Sequence, residues 1–330
     1  MVSWIVLVIA LVVSLIIVIK AADIFVDNLV DIGKSVGISE IILGVTASAI
    51  GTSLPEFGSA MISVLSGSPD LGVGVVLGSN IWNIAGILGI SAFVAGGIAT
   101  GARELKRDGL MTLITGLILL GFILFVSSIT AAVGIILVIA YAIYMWVLIK
   151  DEKEHKNESS DEPEESASTE AASTENQKPI NKKRSLLMVV IGLVGLVVGC
   201  EVMVWSGVGI AKVAHVPQMI IGLFALAIGT SMPELVVTLG SALKKLHSLS
   251  MGTILGSNIF NILIGIGVPS LFTAIPVERL SVTFDAPVMI FVTALLILLS
   301  IRNKKLSRWG GVLLIITYLV YAVLRLFVLA

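Results

Sequence analysis

Long apolar runs separated by short polar clusters make up most of the chain. A helix needs about 20 apolar residues to cross the hydrocarbon of a bilayer. Ten stretches come close to or exceed that length: residues 3–20, 41–66, 71–95, 109–127, 129–149, 185–205, 217–243, 249–274, 282–301 and 309–328. The pattern therefore predicts ten transmembrane helices. Trp4, Trp146, Trp205 and Trp309 fall near predicted span ends, where aromatic anchors meet the headgroups. The first stretch carries no small-residue cleavage site and is read as a span, not a leader. Between the fifth and sixth stretches, Lys150 to Arg184 is polar, rich in Glu and Ser, and almost free of large apolar residues. Such a segment cannot bury a core, so a disordered linker is expected.

Composition narrows the class. The chain is 57% hydrophobic and only 13% charged, with a mean hydropathy of +1.07. Soluble domains carry about 25% charged residues. An ordinary soluble enzyme, a disordered chain and a nucleic-acid binder are excluded, the last also by a net charge of −1. One cysteine, Cys200, rules out an intramolecular disulfide and a Cys-rich zinc site. His155, His215 and His247 are far apart in sequence, which argues against a His-based metal site.

The linker holds 10 of the 22 acids and 7 of the 21 bases. Its acids attract divalent ions weakly, and it is read as a solvated tether. If the N-terminus is outside, the inside loops collect Lys20, Lys34, Arg103, Lys106, Arg107, the linker bases, Lys244, Lys245, Arg302, Lys304, Lys305 and Arg308. The outside keeps only Lys212, Arg279 and Arg325. The bias toward the inside sets the expected orientation: both termini out, linker cytoplasmic, in a multi-pass protein of the plasma membrane.

The sequence also repeats itself at an offset of 178. Residues 44–89 and 222–267 align without a gap, with 21 of 46 positions identical. One copy reads AIGTSLPE (Ala49 to Glu56) and LGSNIWNI (Leu77 to Ile84). The other reads AIGTSMPE (Ala227 to Glu234) and LGSNIFNI (Leu255 to Ile262). Asp23 and Glu201 correspond at the same offset, so the repeat includes the preceding helix. The expected organisation is a five-helix repeat over 1–149, the linker over 150–184 and a second five-helix repeat over 185–330. Five is odd, so the second repeat enters the membrane from the opposite side. Such inverted repeats are typical of secondary transporters, with substrate sites near the midplane. The expected fold class is an all-α membrane protein of ten helices in two inverted five-helix repeats.

Away from span ends, the acids in apolar runs are Glu56, Glu234 and Glu201. A carboxylate at the bilayer centre costs about 2.5–3.5 kcal/mol on insertion scales. No Lys or Arg lies in the spans of Glu56 or Glu234, so a mobile cation is the expected counter-charge. Pro55 and Pro233 remove a backbone donor and disfavour helix just before them. The helix is expected to unwind there and free the carbonyls of Ala49 and Ala227. Backbone exposed at this depth has to line a cavity or a site. The hydroxyls of Thr52, Ser53, Thr230 and Ser231 add oxygen. Ser79 with Asn83, and Ser257 with Asn261, are four apart and share a helix face. Asn80 and Asn258 point about 100° away from the serines and are read as hydrogen-bonding the helix pair together. Taken singly, a serine such as Ser79 is more often a packing residue. Asp23 and Glu201 are read as interfacial or hydrogen-bonded acids, and the methionines as apolar filler. Carboxylates, hydroxyls, amides and carbonyls suit a hard cation, Ca²⁺ above Mg²⁺, and not Zn²⁺ or Cu⁺.

These paired motifs resemble those of the sodium/calcium exchangers of the cation/Ca²⁺ exchanger superfamily, in a prokaryotic form with a short linker. The resemblance covers nearly the whole chain. It implies an antiporter, not an enzyme, with Ca²⁺ and Na⁺ as transported ions, the bilayer as its surroundings, no other cofactor and no obligate protein partner. It also implies that the first and sixth helices slide against the rest. The implied ligands are Thr52, Ser53, Glu56, Ser79 and Asn83 with Thr230, Ser231, Glu234, Ser257 and Asn261, plus the carbonyls of Ala49 and Ala227. Many relatives carry Asp where this chain has Asn261. Two formal charges instead of three argue against K⁺ co-transport. The alternatives are Ca²⁺/H⁺ antiport at the same site and a passive cation channel. An intramembrane enzyme would need a nucleophile or His partner beside the two Glu, and none accompanies them.

Overall fold

A computed structural model describes residues 3–35, 50–101, 105–125, 128–159 and 182–328. The apolar runs fold as helices, as expected for segments that satisfy every backbone group internally. In chain order they are α1 (Trp4–Ser35), α2 (Leu54–Leu65), α3 (Pro69–Ala95), α4 (Leu105–Phe125), α5 (Ala131–Ser159), α6 (Lys182–Ala214), α7 (Gln218–Thr230), α8 (Met232–Leu243), α9 (His247–Ser270), α10 (Ser281–Ile301) and α11 (Arg308–Val328). Among the described residues, eight helices are long and apolar enough to cross a membrane. The pair α7 and α8, bent by 47°, makes a ninth, broken span. The chain is thus an all-α multi-pass membrane protein. Residues 41–49 of the expected second span, Ala49 among them, lie outside the described residues. So do residues 160–181 of the expected linker; its two ends are not linker but helix, because α5 continues to Ser159 and α6 begins at Lys182.

The repeat is visible in the architecture. At an offset of 178, α2 and α8 correspond from first residue to last. Four short strands, β1 (Gly97–Ala99), β2 (Ser128–Ile129), β3 (Ile275–Pro276) and β4 (Lys305–Ser307), form two antiparallel ribbons. β1 pairs with β4 through Ile98 and Leu306, and β2 with β3 through Ile129 and Ile275. Each ribbon takes one strand from each half, and each is the counterpart of the other. All four of these apolar side chains are buried.

At the centre are α3 and α9. In their apolar stretches 89% and 83% of residues are buried, against 28% in α1. Every residue from Leu71 to Ile81 is enclosed. The outer helices present lipid-facing side chains, among them Ile9 and Ile16 of α1, Ile139 and Ile143 of α5, and Leu319 of α11. Trp4, Trp146, Trp205 and Trp309 are all exposed.

Two sequence expectations change. The first span does not stop near residue 20: α1 continues to Ser35 through Asp23, Asp27 and Asp31. Its apolar face persists beyond Lys20, with Ala21 and Ala22 buried and Phe25 against α6, while Asp23 and Asp27 point outward. Lys20 therefore belongs to the helix, where it pairs with Asp23 at 3.5 Å. The outward-facing Glu201 of α6 is likewise exposed.

The second change concerns charge at depth. Asp285 and Arg325, treated as span-end residues, are buried. Arg325 Nε donates to Asp285 Oδ1 at 3.2 Å, and its Nη2 donates to Glu278 at 3.0 Å. The Tyr321 hydroxyl donates to Asp285 at 2.9 Å. The other half builds a related cluster, with the Tyr144 hydroxyl donating to buried Asp108 at 3.2 Å and Arg107 donating to Asp108 and Asp151.

Removing one partner of a buried ion pair leaves the other uncompensated, at a cost of about 3–5 kcal/mol. Arg325→Met should therefore lower the thermal unfolding midpoint of the detergent-solubilised protein sharply. The double variant Asp285→Asn/Arg325→Met should recover much of that loss. Equal melting of Arg325→Met and the parent would show that the pair is not a structural contact.

Candidate functional site

The first motif sits at a helix break in both halves. Ser53 (φ −94°, ψ 3°) and Ser231 (φ −81°, ψ 14°) leave the helical region just before α2 and α8, and Pro55 and Pro233 stand in the first turns. Proline has no N–H for the carbonyl four residues earlier, so the chain bends there. The break is tighter than the unwound stretch the sequence suggested. Ser231 N–H still donates to the Ala227 carbonyl at 3.1 Å. That carbonyl also accepts the Ser79 hydroxyl at 3.5 Å, and a carbonyl with two lone pairs is able to serve more than one partner.

The bends carry Glu56 and Glu234 into the first turns of α2 and α8, both fully buried. They are held crosswise. Ser231 Oγ donates to Glu56 Oε1 at 2.7 Å, and Ser53 Oγ donates to Glu234 Oε1 at 3.2 Å. Each carboxylate is thus anchored by the serine of the opposite repeat. Ser257 Oγ donates to Glu234 Oε1 at 3.4 Å and lies 3.3 Å from Thr52 Oγ1. Ser79 and Thr230 lie beside Glu56. Thr230 Oγ1 itself donates to the Leu226 carbonyl at 3.0 Å.

The second motif closes the site from α3 and α9. Asn83 Nδ2 donates to Asn258 Oδ1 at 3.0 Å, and Asn261 Nδ2 to Asn80 Oδ1 at 3.3 Å. Asn80 and Asn258 exchange side-chain bonds with each other's backbone carbonyls, at 3.3 and 2.9 Å. The structure thus groups Thr52, Ser53, Ser79, Thr230, Ser231 and Ser257 around Glu56 and Glu234 and joins Asn83 and Asn261 to the asparagines beside those serines; Ala49 lies outside the described residues.

Four atoms stand out in this cluster. Glu56 Oε2, Glu234 Oε2, Asn83 Oδ1 and Asn261 Oδ1 are buried without a hydrogen-bond partner. Unpaired buried acceptors of this kind cost about 1–3 kcal/mol each, more when charged. Among the described residues no Lys or Arg pairs with either glutamate. The uncommitted groups are all oxygens, carboxylate and amide, which is the donor chemistry of a hard cation. No group of three or more His, Cys, Asp or Glu side chains able to hold a metal occurs among the described residues.

Tight helix crossings make this geometry possible. A Cβ on Gly222 would lie 2.4 Å from the Leu71 carbonyl oxygen, and one on Gly78 would lie 2.3 Å from that of Leu223. Backbone therefore meets backbone where α3 crosses α7. The two crossing helices also carry irregular turns: α3 is π-helical over Trp82–Leu88 and α7 over Ile221–Leu226. Such turns recur at functional positions.

The "Sodium/calcium exchanger protein" family model matches residues 6–150 and 184–327. The chain belongs to this family. Among its relatives is the sodium/calcium exchanger MaX1 of Methanosarcina acetivorans, 27% identical over 96% of this chain and 98% of that protein. The inner membrane protein YrbG of Escherichia coli is 31% identical over 92% of each chain. The solved structure of the sodium-calcium exchanger NCX_Mj, soaked with Na⁺ and Sr²⁺, superposes with a TM-score of 0.62 at 28% identity. That match covers 96% of this chain and 98% of the other.

What the sequence reading missed is the pair of Asp–Tyr clusters outside the site. A signal was present: Asp108 to Tyr144 and Asp285 to Tyr321 are both separated by 36 residues. At the α3–α7 crossing, Gly222→Ala should destabilise by about 1–3 kcal/mol through overpacking. Gly240→Ala, where nothing lies within 4 Å, should be neutral or slightly stabilising. Thermal unfolding of the two variants side by side checks this; equal losses would remove the argument from close approach.

Proposed function

We propose that the protein exchanges Na⁺ for Ca²⁺ by alternating access, with the ions bound between Glu56 and Glu234. One observation carries this reading: two fully buried carboxylates on inverted helix breaks, each with an unpaired oxygen and, among the described residues, no basic partner. Two carboxylates neutralise one Ca²⁺. Thr52, Ser53, Ser79 and Asn83 with Thr230, Ser231, Ser257 and Asn261 supply further oxygens, and the Ala49 and Ala227 carbonyls complete the set. Ca²⁺ takes 6–8 oxygens in flexible geometry, which suits a site assembled from four helix segments. Related proteins whose names describe sodium/calcium exchange support the choice of ions.

In this reading, coupling follows from desolvation. With no cation, two facing carboxylates in a low-dielectric interior resist the passage through an occluded state. One Ca²⁺, or Na⁺ ions in its place, removes that barrier, so each ion crosses only in exchange for the other. The moving parts are α1 and α6. They pack chiefly against each other and expose much of their length, while α2, α3, α8 and α9 form the packed centre.

The topology belongs to the same proposal. Ten helices, the second comprising residues 41–66, form an N-terminal repeat over 1–149 and a C-terminal repeat over 185–330. The 150–184 linker lies in the cytoplasm and both termini outside, in the plasma membrane. The distribution of Lys and Arg supports that orientation. With an inward Na⁺ gradient the protein exports Ca²⁺.

The test is ⁴⁵Ca²⁺ uptake into proteoliposomes under an imposed Na⁺ or pH gradient. Uptake should follow the Na⁺ gradient, and Glu56→Gln or Glu234→Gln should each abolish it. Uptake that follows pH and ignores Na⁺ would establish Ca²⁺/H⁺ exchange. Uptake without any counter-ion dependence would establish a channel, and parental flux in both glutamine variants would refute the site.

A further inference from the structure

An asparagine ligand has two unlike ends. Its Oδ1 attracts a cation and its NH₂ repels one, yet the two have nearly the same shape. Asn83 and Asn261 are useful to the site only in one orientation, and the hydrogen bonds around them dictate which.

The dictation starts at backbone. The carbonyls of Asn80 and Asn258 lie in the middle of α3 and α9, held by the helices, and a carbonyl only accepts. The end of Asn80 that faces the Asn258 carbonyl, 3.3 Å away, must therefore be Nδ2. This turns Asn80 Oδ1 toward Asn261, which has to present its own Nδ2, at 3.3 Å. Asn261 Oδ1 is left pointing away, buried and unpartnered. The other half repeats the logic. Asn258 Nδ2 donates to the Asn80 carbonyl at 2.9 Å, so Asn258 Oδ1 accepts from Asn83 Nδ2 at 3.0 Å, and Asn83 Oδ1 is the free end. All four side chains are fully buried, so water does not scramble the arrangement.

We propose that Asn80 and Asn258 are positioning residues that fix the amide orientation of Asn261 and Asn83, so that oxygen rather than NH₂ is offered to the bound cation. The inference rests on the exchange reading of this site and adds the residues that set its polarity. The control crosses between the repeats: Asn258 of the second half orients the ligand of the first, and Asn80 of the first orients the ligand of the second.

A double-mutant cycle on the full-length protein in detergent tests this, with ⁴⁵Ca²⁺ as the probe and Na⁺ as competitor. Asn258→Ala should weaken Ca²⁺ binding by about 10- to 100-fold, the loss of one oriented polar ligand. Asn83→Ala should do the same, and the double variant should be no weaker than either single one. A residue that merely holds helices together would instead give losses that add, and additive losses overturn the proposal. Asn258→Asp is the conservative control. Its protonated side chain keeps both bonds, an O–H donated to the Asn80 carbonyl and an oxygen that accepts from Asn83, so binding should stay near the parental level; a loss as large as in Asn258→Ala overturns the proposal as well. If Asn258→Ala does not fold, the mirror cycle of Asn80→Ala with Asn261→Ala reads the same coupling. Absence of Ca²⁺ binding by the parent protein would overturn the exchange reading and this inference together. Parental binding with additive losses would overturn the inference alone.

Discussion

Two carboxylates enclosed by protein, with no Lys or Arg among the described residues to pair with, are the constraint around which the rest is arranged. Burial of Glu56 and Glu234 is tolerable only if their oxygens are partly satisfied and the remainder is left for something that brings positive charge. The serines of the opposite repeat meet the first condition. The unpaired Oε2 atoms meet the second. Broken helices, glycine crossings and the central pair α3 and α9 follow from the need to bring these two residues together from opposite sides of the bilayer.

The contrast with Asp285 sharpens this. Asp285 is as buried as either glutamate, but Arg325 and Tyr321 occupy its oxygens. A buried acid with a guanidinium and a phenol on it is committed to the fold. A buried acid with only hydroxyls on it has charge left uncompensated. The two kinds of site are told apart by their partners, not by their depth.

That distinction explains how much was legible in the sequence. The repeat, the helix breaks at Pro55 and Pro233 and the hydroxyl-bearing residues that gather around Glu56 and Glu234 could be read because each motif occurs twice at one offset. The reach of α1 could not: Lys20, Asp23, Asp27 and Asp31 read as a span end, and only the continuing contact with α6 shows that the helix goes on. The Arg325 and Asp285 pair was equally hidden, because hydropathy places both near span ends while their burial depends on which neighbouring helices cover them. The Ala227 carbonyl is a local example. Proline predicts a break, but the structure determines that Ser231 N–H still reaches it.

The two strand ribbons carry a further consequence. β1 pairs with β4, and β2 with β3, and each strand of a pair comes from a different half of the chain. During synthesis, β1, β2 and the Asn80 side chain are made long before the segments that satisfy them exist. Until the second half is made, the first half has two open strand edges and an Asn80 side chain without its hydrogen-bond partners. Taken alone, the N-terminal half is a surface shaped for the other, and the ribbons are joints that only the complete pair of halves can close.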